Sequence, residues 1–235
     1  MKVALIGYGQ MGKTIEQILI NRNHTVIARF GSSGIDTEIL KQADVAIEFT
    51  RPEAAFGNLV KCFESGVPAV CGTTGWLAHY NEAVRLCKQH QSALLYASNF
   101  SLGVNIFFEI NKQLARIMDA HKQYDISMQE IHHTRKQDAP SGTAITLAEQ
   151  IVENLGRKEG WTLEPQHDSK QISIDAVRKD DVPGTHTINY HSEIDSIEIT
   201  HTAHGRTGFA LGAVLAAEFL IGKNGVFTMK DVLNF

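Results

Sequence analysis

Along the first hundred residues, short apolar runs alternate with segments whose apolar positions recur every three or four residues. Five runs predict strands: KVALI at 2–6, TVIARF at 25–30, DVAIEF at 44–49, PAVCG at 68–72 and ALLYA at 93–97. Their apolar character is nearly continuous, as burial on both faces of a parallel sheet requires. The segments between them fit helices, so this half predicts an α/β unit with a parallel sheet flanked by helices. The stretch between Phe30 and Asp44 is brief and leaves room for about two helical turns at most.

After Asn99 the pattern changes. VNIFFEINKQLARIMDA (104–120) predicts a long helix, and YDISMQEIHH (124–133) then alternates like a half-exposed strand. QISIDAVR (171–178), THTINYH (185–191) and DSIEITHTA (195–203) predict further strands, giving a smaller α+β domain with a mixed or antiparallel sheet whose one face a helix covers. FALGAVLAAEFLIG (209–222) is apolar nearly all round, so it predicts a buried helix that packs back on the first domain.

Composition narrows the function. A 43% hydrophobic content over 235 residues supports a sizeable core, and a net charge of −4 argues against a basic face for nucleic acid while leaving local cations free to hold a small anion. No run approaches the roughly 18 apolar residues that span a bilayer, and the first apolar stretch is too short for a signal peptide, so a cytoplasmic protein is expected. Cys62, Cys71 and Cys87 lack CxxC spacing and are expected to be reduced, buried thiols without chemistry.

GYGQMG at 7–12 directly follows the first strand and opens a helix. Gly7 permits the tight turn, Gly9 lets backbone approach a pyrophosphate, and Gly12 lets helix and strand pack closely, while Gln10 and Met11 bring the first helical amides to the anion. The first domain is therefore a Rossmann-type dinucleotide-binding unit. A site selective for NAD ends its second strand in an acid that binds the ribose hydroxyls. Here the stretch reads Ala28, Arg29, Phe30, Gly31, Ser32, Ser33, and Arg29 suits a 2′-phosphate, so NADPH is expected in preference to NADH. Gly72, Thr73 and Thr74, with Ala97, Ser98, Asn99 and Phe100, follow the fourth and fifth strands, where ligands of open parallel sheets bind.

The densest polar chemistry is EIHHTRKQDAPSGTA at 130–144, just before a helix-forming stretch. Ser141 reads as the helix N-cap, which directs the amides of Gly142 and Thr143 toward an anion beyond the helix end. Lys136 adds a full positive charge. His132 and His133, adjacent in an extended segment, point to opposite faces and are poorly placed to share one metal, so no metal is expected. Near neutrality a histidine can instead carry a proton during turnover. His201 and His204 have no such support and read as structural.

These motifs resemble the dihydrodipicolinate reductase family, also called 4-hydroxy-tetrahydrodipicolinate reductase, over essentially the whole chain. EIHHTRKQDAPSGTA is similar to that family's E-x-H-H-x-x-K-x-D-A-P-S-G-T-A signature, and IEFT (47–50), GTTG (72–75) and SNFSLGVN (98–105) match in order. The resemblance implies a catalytic pair, His132 and Lys136, with Lys136, His133, Gly142 and Thr143 binding a small cyclic dicarboxylate; the cap reading adds the Ser141 hydroxyl to that set. It also implies a homotetramer assembled through the second sheet, and an arginine, Arg206, near the ligands. On that basis residues 1–101 and 207–235 form the dinucleotide-binding domain and 102–206 the substrate-binding and oligomerisation domain. Gln10 stands where the family often has Arg, and Ala28 where it often has an acid. Two other functions stay open: a reductase of a sugar or amino-acid aldehyde built on the same cofactor domain, and a dinucleotide-sensing or scaffolding protein without turnover. The DAPSGT helix start speaks against the first, and intact His132 and Lys136 against the second.

Overall fold

The structure, a computed structural model, describes residues 1–163 and 168–235. The chain divides into two compact units, Met1–Asn105 with Arg206–Phe235, and Ile106–Gly205. In the first, the strands β1 (Lys2–Ile6), β2 (Thr25–Phe30), β3 (Val45–Glu48), β4 (Ala69–Cys71) and β5 (Ala93–Tyr96) alternate with α1 (Gln10–Asn21), α2 (Thr37–Leu40), α3 (Pro52–Glu64) and α4 (Tyr80–Gln89). All five strands run parallel. α2 is a single turn, capped by the Asp36 carboxylate, which accepts the amides of Glu38 and Ile39.

Three elements of this unit follow the second one in sequence. They are α7 (Thr207–Leu220), β11 (Gly225–Phe227) and α8 (Met229–Leu233), and β11 adds to β5 as a sixth strand, giving the order β11-β5-β4-β3-β1-β2. β11 and α8 lie beyond the elements expected from the pattern, because three residues of strand carry too little periodicity to register. α7 does pack on the parallel sheet as its apolar circumference predicts. Ala210, Ala213, Val214, Ala217 and Leu220 are fully buried with Val3, Leu5, Val45, Val70 and Leu95. Small residues let the helix approach closely: a Cβ on Gly212 would lie 1.7 Å from the Phe100 carbonyl oxygen.

The second unit takes up most of α5 (Leu102–Asp119) and holds β6 (Asp125–His132), α6 (Gly142–Asn154), β7 (Gly160–Thr162), β8 (Gln171–Arg178), β9 (Thr185–His191) and β10 (Ser196–Thr202). The sheet order is β10-β9-β6-β8-β7, with β6–β9 and β9–β10 antiparallel and β6–β8 and β7–β8 parallel. It is mixed, as expected. β6 alternates buried and less buried positions, and Ile126, Met128, Ile172, Ile174, Ile188 and Tyr190 form a core with Phe107, Ala115 and the α6 residues Ala144, Leu147, Ala148 and Ile151.

Candidate functional site

The first unit offers a cradle shaped for a dinucleotide. Gly7 has φ +94°, a conformation open to glycine, and a Cβ there would lie 2.0 Å from the Phe49 carbonyl oxygen. A Cβ on Gly12 would meet the Gly7 carbonyl oxygen at 2.3 Å, whereas one on Gly9 would meet nothing within 4 Å. Gly7 and Gly12 thus close the turn while Gly9 leaves its backbone bare, so the loop fits a pyrophosphate at the α1 N-terminus. A cleft of about 620 Å³ opens beside it, lined by Gly7, Tyr8, Gly9, Gly31, Ser32 and Arg51 among others. A second of about 250 Å³ brings Met11 together with Gly72, Thr73 and Thr74. The Thr73 hydroxyl accepts the Thr50 amide at 2.7 Å and ties that loop to the end of β3.

Arg29 lines neither cleft. Its guanidinium donates to Glu16 on α1 and lies over the Tyr8 ring, 5.7 Å from the centroid, while the Tyr8 hydroxyl donates to the other Glu16 oxygen. Arg29 holds the Glu16 carboxyl below its usual range. Arg29 is still half-exposed, so part of its fork faces solvent. Arg51, in the IEFTR stretch, received no role from the sequence, yet it shares the cleft with Ser32. Ala97, Ser98, Asn99 and Phe100 do follow β5, but they line neither cleft. Phe100 is buried against Phe49, and Asn99 accepts the Ser101 amide through its side chain. Gln10 accepts a hydrogen bond from Arg206, which fastens the first turn of α1 to the start of α7.

The second unit gathers the signature segment around a buried carboxylate. Glu130 and His132 are two apart on β6 and so share a face, and the register sets Glu130 opposite His186 on β9 and His132 opposite Arg178 on β8. The Glu130 side chain is wholly buried, and both its oxygens accept the Ser141 amide, at 3.1 and 3.0 Å. Arg178 donates to Oε1 at 3.0 Å, and Oε2 lies 3.5 Å from His132 Nδ1 and 3.7 Å from His186 Nε2. Burial would raise the Glu130 carboxyl, but the Ser141 and Arg178 hydrogen bonds outweigh it and hold it below the usual range. Burial lowers His132, against the pull of Glu130, and lowers His186 to about 4.

Ser141 caps α6, as expected: its hydroxyl accepts the Ala144 amide at 3.2 Å and meets His186 Nε2 at 3.1 Å. With the cap's acceptor taken by Ala144, the amides of Gly142 and Thr143 point out of the helix end without an intrahelical acceptor. Lys136 pairs with Asp138 at 2.8 Å, a largely exposed partner, so the contact is weak and open to exchange for another anion. Glu130 heads the signature segment but received no role from the sequence, and Arg178 and His186 lie outside it. The period of two puts Glu130 beside His132, but only the register across β8 and β9 brings in the other two.

The donor atoms of Glu130, His132 and His186 converge within 4.8 Å, close enough to share an ion. The Arg178 guanidinium on the same carboxylate is a fixed positive charge that opposes a divalent cation there. The arrangement sets two imidazoles and a carboxylate, groups able to carry protons, beside a helix N-terminus whose free amides suit an anion. All three cysteines are buried, and burial raises each thiol, Cys87 to about 11, which leaves them unreactive. Among the described residues no helix is long and apolar enough to cross a membrane.

Comparison with known proteins agrees with this geometry. In fold, the chain is similar to a dipicolinate-bound dihydrodipicolinate reductase from a Paenisporosarcina species, with a TM-score of 0.81 at 22% identity over 97% of both chains. An amine dehydrogenase from Mycobacterium smegmatis is more distant, with a TM-score of 0.56 at 12% identity over 97% of this chain and 95% of its own. Sequence likeness is far more selective. A 4-hydroxy-tetrahydrodipicolinate reductase of Christiangramia forsetii is 53% identical over 236 residues, covering 100% of this chain and 98% of the relative. One of Neisseria gonorrhoeae is 35% identical over 266 residues, covering 99% and 97%. Residues 1–100 match the family model "Dihydrodipicolinate reductase, N-terminus" and residues 103–233 match "Dihydrodipicolinate reductase, C-terminus". With both halves matched in order and the signature folded around the capped N-terminus of α6, this chain belongs to the dihydrodipicolinate reductase family, oxidoreductases that use a nicotinamide cofactor.

Proposed function

We propose that this chain reduces 4-hydroxy-tetrahydrodipicolinate to tetrahydrodipicolinate with release of water, in diaminopimelate and L-lysine biosynthesis, with NADPH as the preferred reductant. The observation that carries this reading is the cluster of buried His132, Lys136 and the capped N-terminus of α6. The α6 amides of Gly142 and Thr143, with Ser141, hold one carboxylate of the substrate, and Lys136 exchanges Asp138 for the same dianion. His133, next in the chain, completes the substrate contacts. Loss of water leaves a conjugated imine, and the nicotinamide cofactor, when bound, supplies the hydride that reduces it. The ring carbon left electron-rich then takes a proton, and His132 is its donor. Resting His132 favours the neutral form because it is buried; arrival of a dicarboxylate beside it raises its proton affinity at the step that needs it.

The preference for NADPH is supported by the absence of an acid at the end of β2 and by two cations nearby, Arg29 and Arg51, with Ser32 in the same cleft as Arg51. The first unit, through Gly7, Gly9, Gln10, Met11, Gly12, Gly72, Thr73 and Thr74, serves as the dinucleotide-binding domain. The second serves as the domain for substrate and for assembly into a cytoplasmic homotetramer. Support for the assembly role is the exposed edge strand β10, where Ile197 is 39% exposed and the preceding Ile194 88%.

The direct test mixes purified protein with NADPH and substrate freshly generated by the preceding aldol step, and follows absorbance of the reduced cofactor. Substrate-dependent oxidation is expected, and its absence overturns the proposal. His132→Ala should lower kcat more than it raises the substrate KM, whereas Lys136→Ala should damage both.

A further inference from the structure

We propose that Glu130 is the positioning residue of this site: one buried carboxylate orients the His132 imidazole through Nδ1 and holds the N-terminus of α6 through the Ser141 amide. The inference rests on the reading of His132 as proton donor and extends it to a residue that never meets the substrate. The two carboxylate oxygens divide their work. Arg178 donates to Oε1, and Oε2 faces the two imidazoles, so Arg178 neutralises the carboxylate without covering the oxygen that faces His132.

His132 Nδ1 is buried and makes no hydrogen bond of its own, and the Glu130 oxygen 3.5 Å away is within ion-pair reach. A carboxylate there favours the tautomer with its proton on Nδ1, which leaves Nε2 to exchange protons with the substrate. Nε2 faces Gly184, where a Cβ would lie 2.9 Å away, so the absence of a side chain keeps that edge of the ring uncovered. The charged and titratable groups around His132 are Glu130 on β6, Arg178 on β8, His186 on β9 and His133 and Lys136 in the loop after β6. Glu130 is the acid among them, and His186, neutral near pH 7, does not compete as a cation for Oε2.

The same carboxylate takes the amide of the α6 cap residue with both oxygens. Proton donor and anion cradle are therefore referenced to one group, and a displacement of either is transmitted to the other. A merely structural acid would need neither the Oε2–imidazole face nor the bidentate grip on Ser141.

The test uses the full chain labelled with ¹⁵N-histidine, with the His132 signals identified by their loss in His132→Ala. In the unsubstituted protein the expected signals are a protonated Nδ1 and an unprotonated Nε2; the opposite tautomer would overturn the proposal with no variant at all. Glu130→Gln should abolish that preference and lower kcat by about 10- to 100-fold, the scale associated with losing the partner that orients a functional histidine. The KM for dinucleotide, which binds in the other unit, should stay unchanged. Because Glu130→Gln leaves Arg178 unpaired, Glu130→Gln/Arg178→Gln, in which no ion is stranded, provides a second variant with the same expected loss of preference. A folded variant with unchanged tautomer and kcat would refute the positioning role while His132→Ala remained inactive. An active His132→Ala would instead overturn the proton-donor reading, and this inference with it.

Discussion

Gly212 is where helix propensity and packing make opposite predictions. Replacing a mid-helix glycine with alanine ordinarily stabilises a helix by about 1 kcal/mol. In α7 the added Cβ would stand 1.7 Å from the Phe100 carbonyl oxygen and 2.8 Å from its carbon, both backbone atoms that no rotamer change can move. An ordinary contact of 3.4 Å would require the two backbones to part by about 1.7 Å. That separation would draw Ala210, Ala213, Val214 and Ala217, all fully buried, away from the sheet. Overpacking a dense core costs about 1–3 kcal/mol, and the loosened helix face places Gly212→Ala at the upper end. With the propensity gain subtracted, a net destabilisation of about 2 kcal/mol is expected. Urea denaturation measures it as a lower midpoint at unchanged slope. A variant as stable as the parent, or more stable, would show that the close approach of α7 to Phe100 is wrong.

Other consequences are checked more quickly. Arg29→Ala should raise the KM for NADPH about tenfold more than that for NADH, the value of one charge-assisted hydrogen bond; equal losses for both would remove Arg29 from cofactor selection. Arg51→Ala should weaken dinucleotide binding measured by quenching of protein fluorescence, because Arg51 lines the larger cleft. His186 has a folded pKa of about 4 against roughly 6.5 when unfolded, so the unfolded chain takes up the proton first. Its contribution is therefore present above about pH 6.5 and lost as pH falls toward 4, a difference of about 3 kcal/mol at most. Denaturation at pH 7, 6 and 5 should show declining stability, and a flat profile would contradict a buried neutral His186. Gly184→Ala should lower kcat while leaving dinucleotide binding intact, because the added methyl group crowds His132 Nε2.

Much of the fold was legible because local patterns carried it. The five parallel strands stood out as apolar runs, and α7 as a helix with no polar face. The glycines of GYGQMG signalled a turn whose Cβ positions prove to be occupied by backbone at Gly7 and Gly12. Ser141 could be recognised as a cap because capping is a short-range matter of one hydroxyl and the next turn. What could not be read depended on register. Arg178 and His186 lie 46 and 54 residues beyond His132, and only the pairing of β6 with β8 and β9 puts them against Glu130. Arg29 was legible as a cation after β2, but its engagement with Glu16 arises from the packing of α1 against β2, which no spacing rule encodes.

The return of α7 and β11 to the first unit has a consequence for how the protein is made. The first 105 residues emerge from the ribosome with every glycine of the dinucleotide loop in place, yet the sheet face beneath α7 stays bare until residues beyond 206 have followed. Val45, Ile47, Val70 and Leu95 on β3, β4 and β5 thus stay uncovered while another hundred residues are translated, about 5–20 s at ordinary elongation rates. The second unit has its own core and does not wait for that event. It is expected to mature first although it is encoded later, which makes the nascent amino-terminal segment the natural client of a chaperone.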